Sequence, residues 1–353
     1  MAPKSNFESF VDTVASRQHI AAANLGEKKM LHRLRAAFLA ACVAAPGTVF
    51  GQDAFPSKPI QVVLPLQAGS ASDIAARFVT ERIAEILGQG MVVENVAGAG
   101  GLVGANRVAT ARADGYTLAA LNNSILTILP HMQRAQVKFD SFGDFVPIRG
   151  LANIPTYLGV PKDFPASNVA ELIALAKAKP GELNYSSGGP GSPQHLATEM
   201  FQVMSGARLT HVPYKGATAA AADLAAGRVQ VMFIAHSLAL PYLPAERVRF
   251  LAFAGGERSR AFPNLPTVAE SGVPGYDYAS WIALFALKGT PPEVLAKLRA
   301  AAAQAMATPG LADRFAKSGL EIWDTQPEKL SAVMREDWAR WEKVVKSANL
   351  GAN

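Results

Sequence analysis

One cysteine, Cys42, stands in 353 residues, and aromatic residues make up 8% of the chain. A lone cysteine excludes an intrachain disulfide and a cysteine-rich zinc centre. Beyond residue 51 the histidines are His131, His195, His211 and His236, none at the i, i+4 spacing of a helical metal pair, so neither a metal nor a cofactor is expected. A G-x-S-x-G nucleophile elbow is absent as well. The formal net charge is +6, but residues 1–51 hold six Lys/Arg and three acids, leaving 28 of the 34 bases against 25 of the 28 acids. The remaining bases are scattered, without interleaved aromatics, which argues against nucleic acid as a partner.

The N-terminal part, in contrast, carries a clear pattern. Residues 30–51 read as a secretory signal: Arg33 and Arg35 after Met30, an apolar stretch of small residues from Ala36, then Val49 and Gly51 at the −3 and −1 positions before Gln52. The stretch is too short, and too broken at Pro46-Gly47, for a membrane span of about 20 residues. Export to the periplasm is therefore expected. Leu39-Ala40-Ala41-Cys42 also matches the tetrapeptide that precedes lipid attachment, so anchoring through Cys42 is the alternative to a soluble form. Residues 1–29 do not fit a signal: they read as lying behind an upstream start that is not used, or as an extension, and are left out of the fold.

With 50% apolar residues, the chain can bury one large core or two ordinary ones. From Lys58 onward β-like runs (60–64, 92–94, 117–121, 157–160, 183–185, 209–212, 229–234, 250–253 and 280–287) alternate with amphipathic segments (73–87, 104–110, 169–178, 194–204, 217–225, 292–307, 309–318 and 327–347). This is the pattern of an α/β protein with a largely parallel sheet. In the last segment Met334, Trp338, Trp341 and Val345 recur at helical spacing and read as one core-facing stripe.

Two strand-to-helix loops are built from small residues, 65–73 (PLQAGSASD) and 186–195 (SSGGPGSPQH). Ser70 with Asp73, and Ser192 before Pro193, supply N-cap chemistry, so both loops deliver free backbone amides at a helix N-terminus, a ready anion site. Either loop alone reads equally as a capped tight turn. Asp73, in a first helical turn, suits holding amides better than moving protons. His195 fits a loop cap as well as a ligand contact, His211 a packing role, and Lys215 a solvated or interlobe position. Residues 98–104 (GAGGLVG) put Val103 where a dinucleotide loop needs its third glycine, which favours a structural turn.

Those stretches, with ADGYTL (113–118), FDSFGDFVPI (139–148), HVPYKGA (211–217) and FPNLPTVAESGVPGY (262–276), resemble the solute-binding receptors of tripartite tricarboxylate transporters, the Bug or TctC-type periplasmic proteins. The resemblance runs over essentially all of residues 54–350. It implies a type II periplasmic binding protein: two Rossmann-like lobes, 54–155 plus 281–353 and 156–280, joined by a two-strand hinge as in a Venus flytrap. Carried over by motif, the ligand contacts are Gln67, Ala68, Gly69, Ser70 and Asp73 on one side, and Ser187, Gly188, Gly189, Ser192 and His195 on the other. Leu66 stands where the family usually has an aromatic. Ile234-Ala235-His236 replaces a common Asp-Asn-Leu, which adds His236 to the expected contacts.

The function so implied is extracytoplasmic binding of a small organic anion, a mono- or dicarboxylate, by a monomer that delivers it to membrane permease subunits, with no catalysis. A receptor presenting its solute to a sensor protein is the alternative, and an exported hydrolase the remote one.

Overall fold

The computed structural model describes residues 55–347, so the expected signal at 30–51, Cys42 and the extension at 1–29 lie outside the described residues. Strand β1 (Ile60–Leu64) is β-branched and apolar, with Ile60, Val62 and Leu64 fully buried. Such a strand belongs inside a sheet covered on both faces. It runs parallel to β2 (Met91–Asn95) and β3 (Thr117–Asn122), Val62 facing Val93 on one side and Leu118 on the other. Strands β4 (Phe145–Asn153), β10 (Trp281–Leu287) and β11 (Glu321–Thr325) complete this sheet in the order β11-β4-β10-β3-β1-β2.

A second set of strands comprises β8-β5-β9, from Met232–Ala235, Thr156–Pro161 and Val248–Phe253, and the pair β6 (Asn184–Ser187) and β7 (Thr210–Pro213). Tyr185 bridges Val231, just ahead of β8, so these pieces abut. The chain passes between the sheets at residues 154–155 and 276–280. The two passages are tied together where Ile154 N–H donates to the Ser280 carbonyl at 2.8 Å.

Among the described strands, parallel ladders are confined to β1–β2, β1–β3 and β6–β7, which corrects the expectation of a largely parallel sheet. The reason is the double passage: β4 runs straight on into β5, and β10 returns, so each sheet receives strands travelling in opposite directions.

The helices are α1 (Ala71–Leu87), α2 (Leu102–Ala109), α3 (Val169–Ala178), α4 (Pro193–Ser205), α5 (Ala217–Ala225), α6 (Pro292–Met306), α7 (Leu311–Lys317) and α8 (Pro327–Ser347). Short helical stretches at Ser124–Ile128, Leu129–Met132 and His236–Ala239 join them. Helix α1 stops at Gly88, whose φ of +66° lets its N–H turn back to the Ala84 and Glu85 carbonyls. Helix α8 serves two cores. Leu330 and Met334 join the cluster that contains Val63 and Phe285, while Trp341 joins the one that contains Phe233 and meets Tyr278 edge-on.

Candidate solute-binding site

The first loop, which we call the first jaw, is held by a charged network. Ser70 Oγ accepts the Asp73 N–H at 3.3 Å, and Asp73 Oδ2 reaches back to accept the Gly69 N–H at 3.0 Å. The capping exchange thus lands one residue before the N-cap. Asp73 also accepts from Arg77 Nε at 3.0 Å and from Asn95 Nδ2 at 2.9 Å, and Asn95 donates to the Leu66 carbonyl at 2.9 Å. Burial works against the Asp73 charge, but Arg77, the Gly69 amide and Asn95 outweigh it and hold the carboxyl below its ordinary range. Asp73 therefore pins the loop.

The second jaw is held by neutral groups. Ser187 Oγ lies 2.6 Å from His211 Nε2 and accepts the Gly189 N–H at 3.0 Å. His195 Nδ1 accepts the Gly191 N–H at 3.2 Å, while its backbone N–H meets Ser192 Oγ at 3.5 Å. The two imidazoles sit 4.5 Å apart between centroids, and Tyr185 stacks on His211 at 4.7 Å. Behind them Glu199 accepts from Tyr185 OH at 2.6 Å. Burial lowers both histidines, and His211, with His195 beside it, is pushed down to about 4. Ser187 and His211 have the spacing of a nucleophile and its base. Ser187, however, is wholly buried and already engaged by the loop it supports.

Each jaw is met by a segment beside the other: Thr218 Oγ1 at the start of α5 donates to the Gly69 carbonyl at 3.5 Å, and a Cβ on Gly100 would stand 2.7 Å from the Gly191 carbonyl. Between them lies a cavity of about 30 Å³, reached by the N-terminal ends of α1 (Ser70, Ala71, Ser72), α4 (Ser192, Pro193, Gln194) and α5 (Ala217). Gln67 and Gly188 close it at the loops, Thr156 and Ser280 at the passages between sheets. A space of that size suits about two water molecules. Anything larger requires the jaws to part.

Of the expected contacts, Gln67, Ser70, Gly188 and Ser192 line this cavity, and Gly189 lines an adjoining outer one of about 320 Å³ with Lys215. Asp73 and Ser187 stand behind the jaws as their anchors. Ala68 and Gly69 are exposed on the first jaw, Gly69 against Thr218.

Two histidines fall elsewhere than expected. His195 turns its ring back toward Tyr185 and His211, because its Nδ1 is used on Gly191. His236 lines a separate cavity of about 830 Å³ on the far side of the passages, packed against Tyr157 and Phe262. Adjacent residues at a strand end point to opposite sides, so Ala235 faces the inner cavity and His236 cannot. Thr156, Ser280, Phe233 and Leu238 also line the inner cavity. Phe233 and Leu238 look like ordinary core residues in sequence, and no local motif marks Thr156 or Ser280.

The sequence matches the tripartite tricarboxylate transporter family receptor over residues 75–350. The chain belongs to that family. As a TctC receptor it is 32% identical to protein BugT of Bordetella pertussis, over 86% of this chain and 92% of BugT. Two Rhodopseudomonas palustris structures are similar: Rpa4515 with adipate (35% identity, TM-score 0.78, 84% of this chain and 99% of that one) and MatC with bound malate (31%, TM-score 0.78, 82% and 100%). Proteins of this family are periplasmic solute-binding receptors and not enzymes, which removes the hydrolase reading and agrees with Ser187 serving as an anchor. Among the described residues, no helix of the receptor is long and apolar enough to cross a membrane.

Proposed function

We propose that the receptor binds a small organic carboxylate between residues 65–73 and 186–195 and delivers it to membrane permease subunits. One observation carries this reading: three helix N-termini meet at a single cavity that no charged side chain lines. Unpaired first-turn amides there supply hydrogen bonds to an anion, worth about 1.5–3 kcal/mol each when the partner is charged. Adipate and malate in the related receptors support the same class of solute. Gln67, Ser70, Gly188 and Ser192 make the contacts, with Ala68, Gly69 and Gly189 at the mouth. Asp73, Ser187 and His195 hold the loops in place.

The moving bodies are residues 54–155 with 281–353, and residues 156–280, turning about the paired passages. Solute binding shifts the receptor from open to closed through its differential affinity for the two forms. The protein acts as a monomer in the periplasm after cleavage behind Gly51, which N-terminal sequencing of the exported protein would check. A thermal-shift screen against aliphatic and aromatic carboxylates tests the binding itself. A true solute at about 100 times its Kd adds about 2.7 kcal/mol of stability. Folded protein that no carboxylate stabilises would sink the proposal.

A further inference from the structure

The spaces on the two sides of the passages are very unequal: about 30 Å³ on the jaw side and about 830 Å³ in the groove behind. Ile154, Thr156 and Ser280 line both, so the passages are the wall between them. That wall is held firmly. Arg340 of α8 donates to Asp277 at 2.7 Å and to Asp337 at 2.8 Å, and Asp337 accepts from Trp281 Nε1 at 2.8 Å. Backbone also meets backbone where the chain leaves α7: Gly319, at φ +68°, lies so close to the start of the short helix His236–Ala239 that a Cβ there would stand 2.7 Å from the Ser237 nitrogen. Beyond these contacts the groove separates Ala312 and Ala316, one turn apart on α7 and both exposed, from Gly255 and Gly256 just past β9.

A rotation about the passages that widens the jaw side narrows the side behind them, so the groove is the room into which the two bodies turn when the jaws part. We propose that this groove sets how far the receptor opens, and that Ala312 and Ala316 are positioning residues for solute affinity although they stand on the opposite side of the passages from the jaws. The proposal rests on the two-body movement described above. Alanine keeps the groove wide. A large side chain at either position would meet the 255–256 turn as the jaws part, which raises the free energy of the open form and leaves the closed form untouched. Solute affinity follows the population of the closed form, so bulk placed behind the passages tightens binding in front of them. A twist along the passages in place of a hinge would leave the groove unchanged and make both alanines irrelevant.

Distances between two spin labels test this without a solute. In the purified full chain carrying Cys42→Ser, labels at Glu85→Cys on α1 and Ala222→Cys on α5, both exposed, report the separation of the two bodies. The expected result is that Ala312→Trp and Ala316→Trp each lower the ratio of open to closed about tenfold, and Ala316→Leu by less. Lys317→Trp, exposed on the same helix and outside the groove, should change nothing. With adipate as probe, the Kd of the two tryptophan variants falls by up to about tenfold, carried by a slower koff. An open population unchanged in both variants, or lowered equally by Lys317→Trp, overturns the proposal and leaves the two-body movement standing. So does weaker adipate binding by variants that have closed. If the wild type shows one distance with and without adipate, the movement itself falls and this proposal with it. Where adipate does not bind, the solute-free distances decide alone.

Discussion

The two jaws share a task and differ in what anchors them. In the first, Asp73 is an ionised carboxylate shared among a guanidinium, an amide side chain and a backbone N–H. In the second, Ser187, His211 and His195 are neutral; His195 Nδ1 accepts from the loop and His211 Nε2 pairs with the Ser187 hydroxyl. Similar loops in sequence, each small-residue and serine-capped, thus draw stiffness from opposite chemistry. The contrast teaches that they should fail under different conditions, and the following experiments sharpen or break it.

The largest effect is expected from Asp73→Ala, which leaves Gly69, Arg77 and Asn95 without their acceptor. We expect a loss of about 2 kcal/mol in urea unfolding, below that of a fully buried pair because Arg77 is half-exposed. A loss near zero would mean that the charged anchor is decorative.

Next comes acid sensitivity, where the jaws should separate. His211 titrates near 6.5 when unfolded and is held down to about 4 when folded, so between those values the unfolded chain binds the extra proton and stability drops as pH falls. The slope for one histidine approaches about 1.4 kcal/mol per pH unit, and His195 adds in the same direction. Asp73 has the opposite origin and a lower window: its contribution is complete above about 3.8 and disappears as pH falls through its depressed folded value. His211→Ala should cost about 1 kcal/mol at pH 7 by removing the Ser187–His211 hydrogen bond, and should flatten the loss between pH 6.5 and 4. An unchanged slope would refute the neutral-anchor account.

Gly100→Ala acts on the contact between the glycine-rich turn at 98–104 and the second jaw. Its φ of +66° and the closeness of Gly191 forbid a side chain without displacement. We expect about 1 kcal/mol of strain in unfolding and about tenfold weaker solute binding, since the closed form becomes less populated. The smallest effects belong to Ser70→Ala and Ser192→Ala, each about 0.5–1 kcal/mol, because their capping bonds of 3.3 and 3.5 Å are long.

Much of this architecture is legible in the residues. The apolar run at Ile60–Leu64 and the amphipathic periods at Val169–Ala178, Ala217–Ala225 and Pro327–Ser347 coincide with elements as folded. The two serine caps form where the sequence places them. Strand β4 is hidden because Pro147, Arg149 and Gly150 interrupt its alternation, and β11 because Glu321 and Asp324 make it look like a surface loop on what is a sheet edge. Without β4 the residue pattern alone gives no antiparallel passages; the two-strand hinge comes only from the family resemblance. The site follows the same rule. Loop residues such as Gln67 and Gly188 carry a local signature, whereas Phe233, Leu238, Thr156 and Ser280 reach the cavity only through tertiary packing. His236 misleads because a shift of one residue reverses the side it faces.

The first sheet is assembled from both ends of the described chain: β1 to β4 precede the strands of the second sheet, and β10 and β11 follow them. During synthesis β5 to β9 can pair as soon as they are made, while β3 and β4 wait with open edges for β10. Helix α8, packed into both cores, is the last of the described elements to be made. The molecule should accordingly melt in one cooperative transition, and a nascent chain stopped before residue 281 should remain half built.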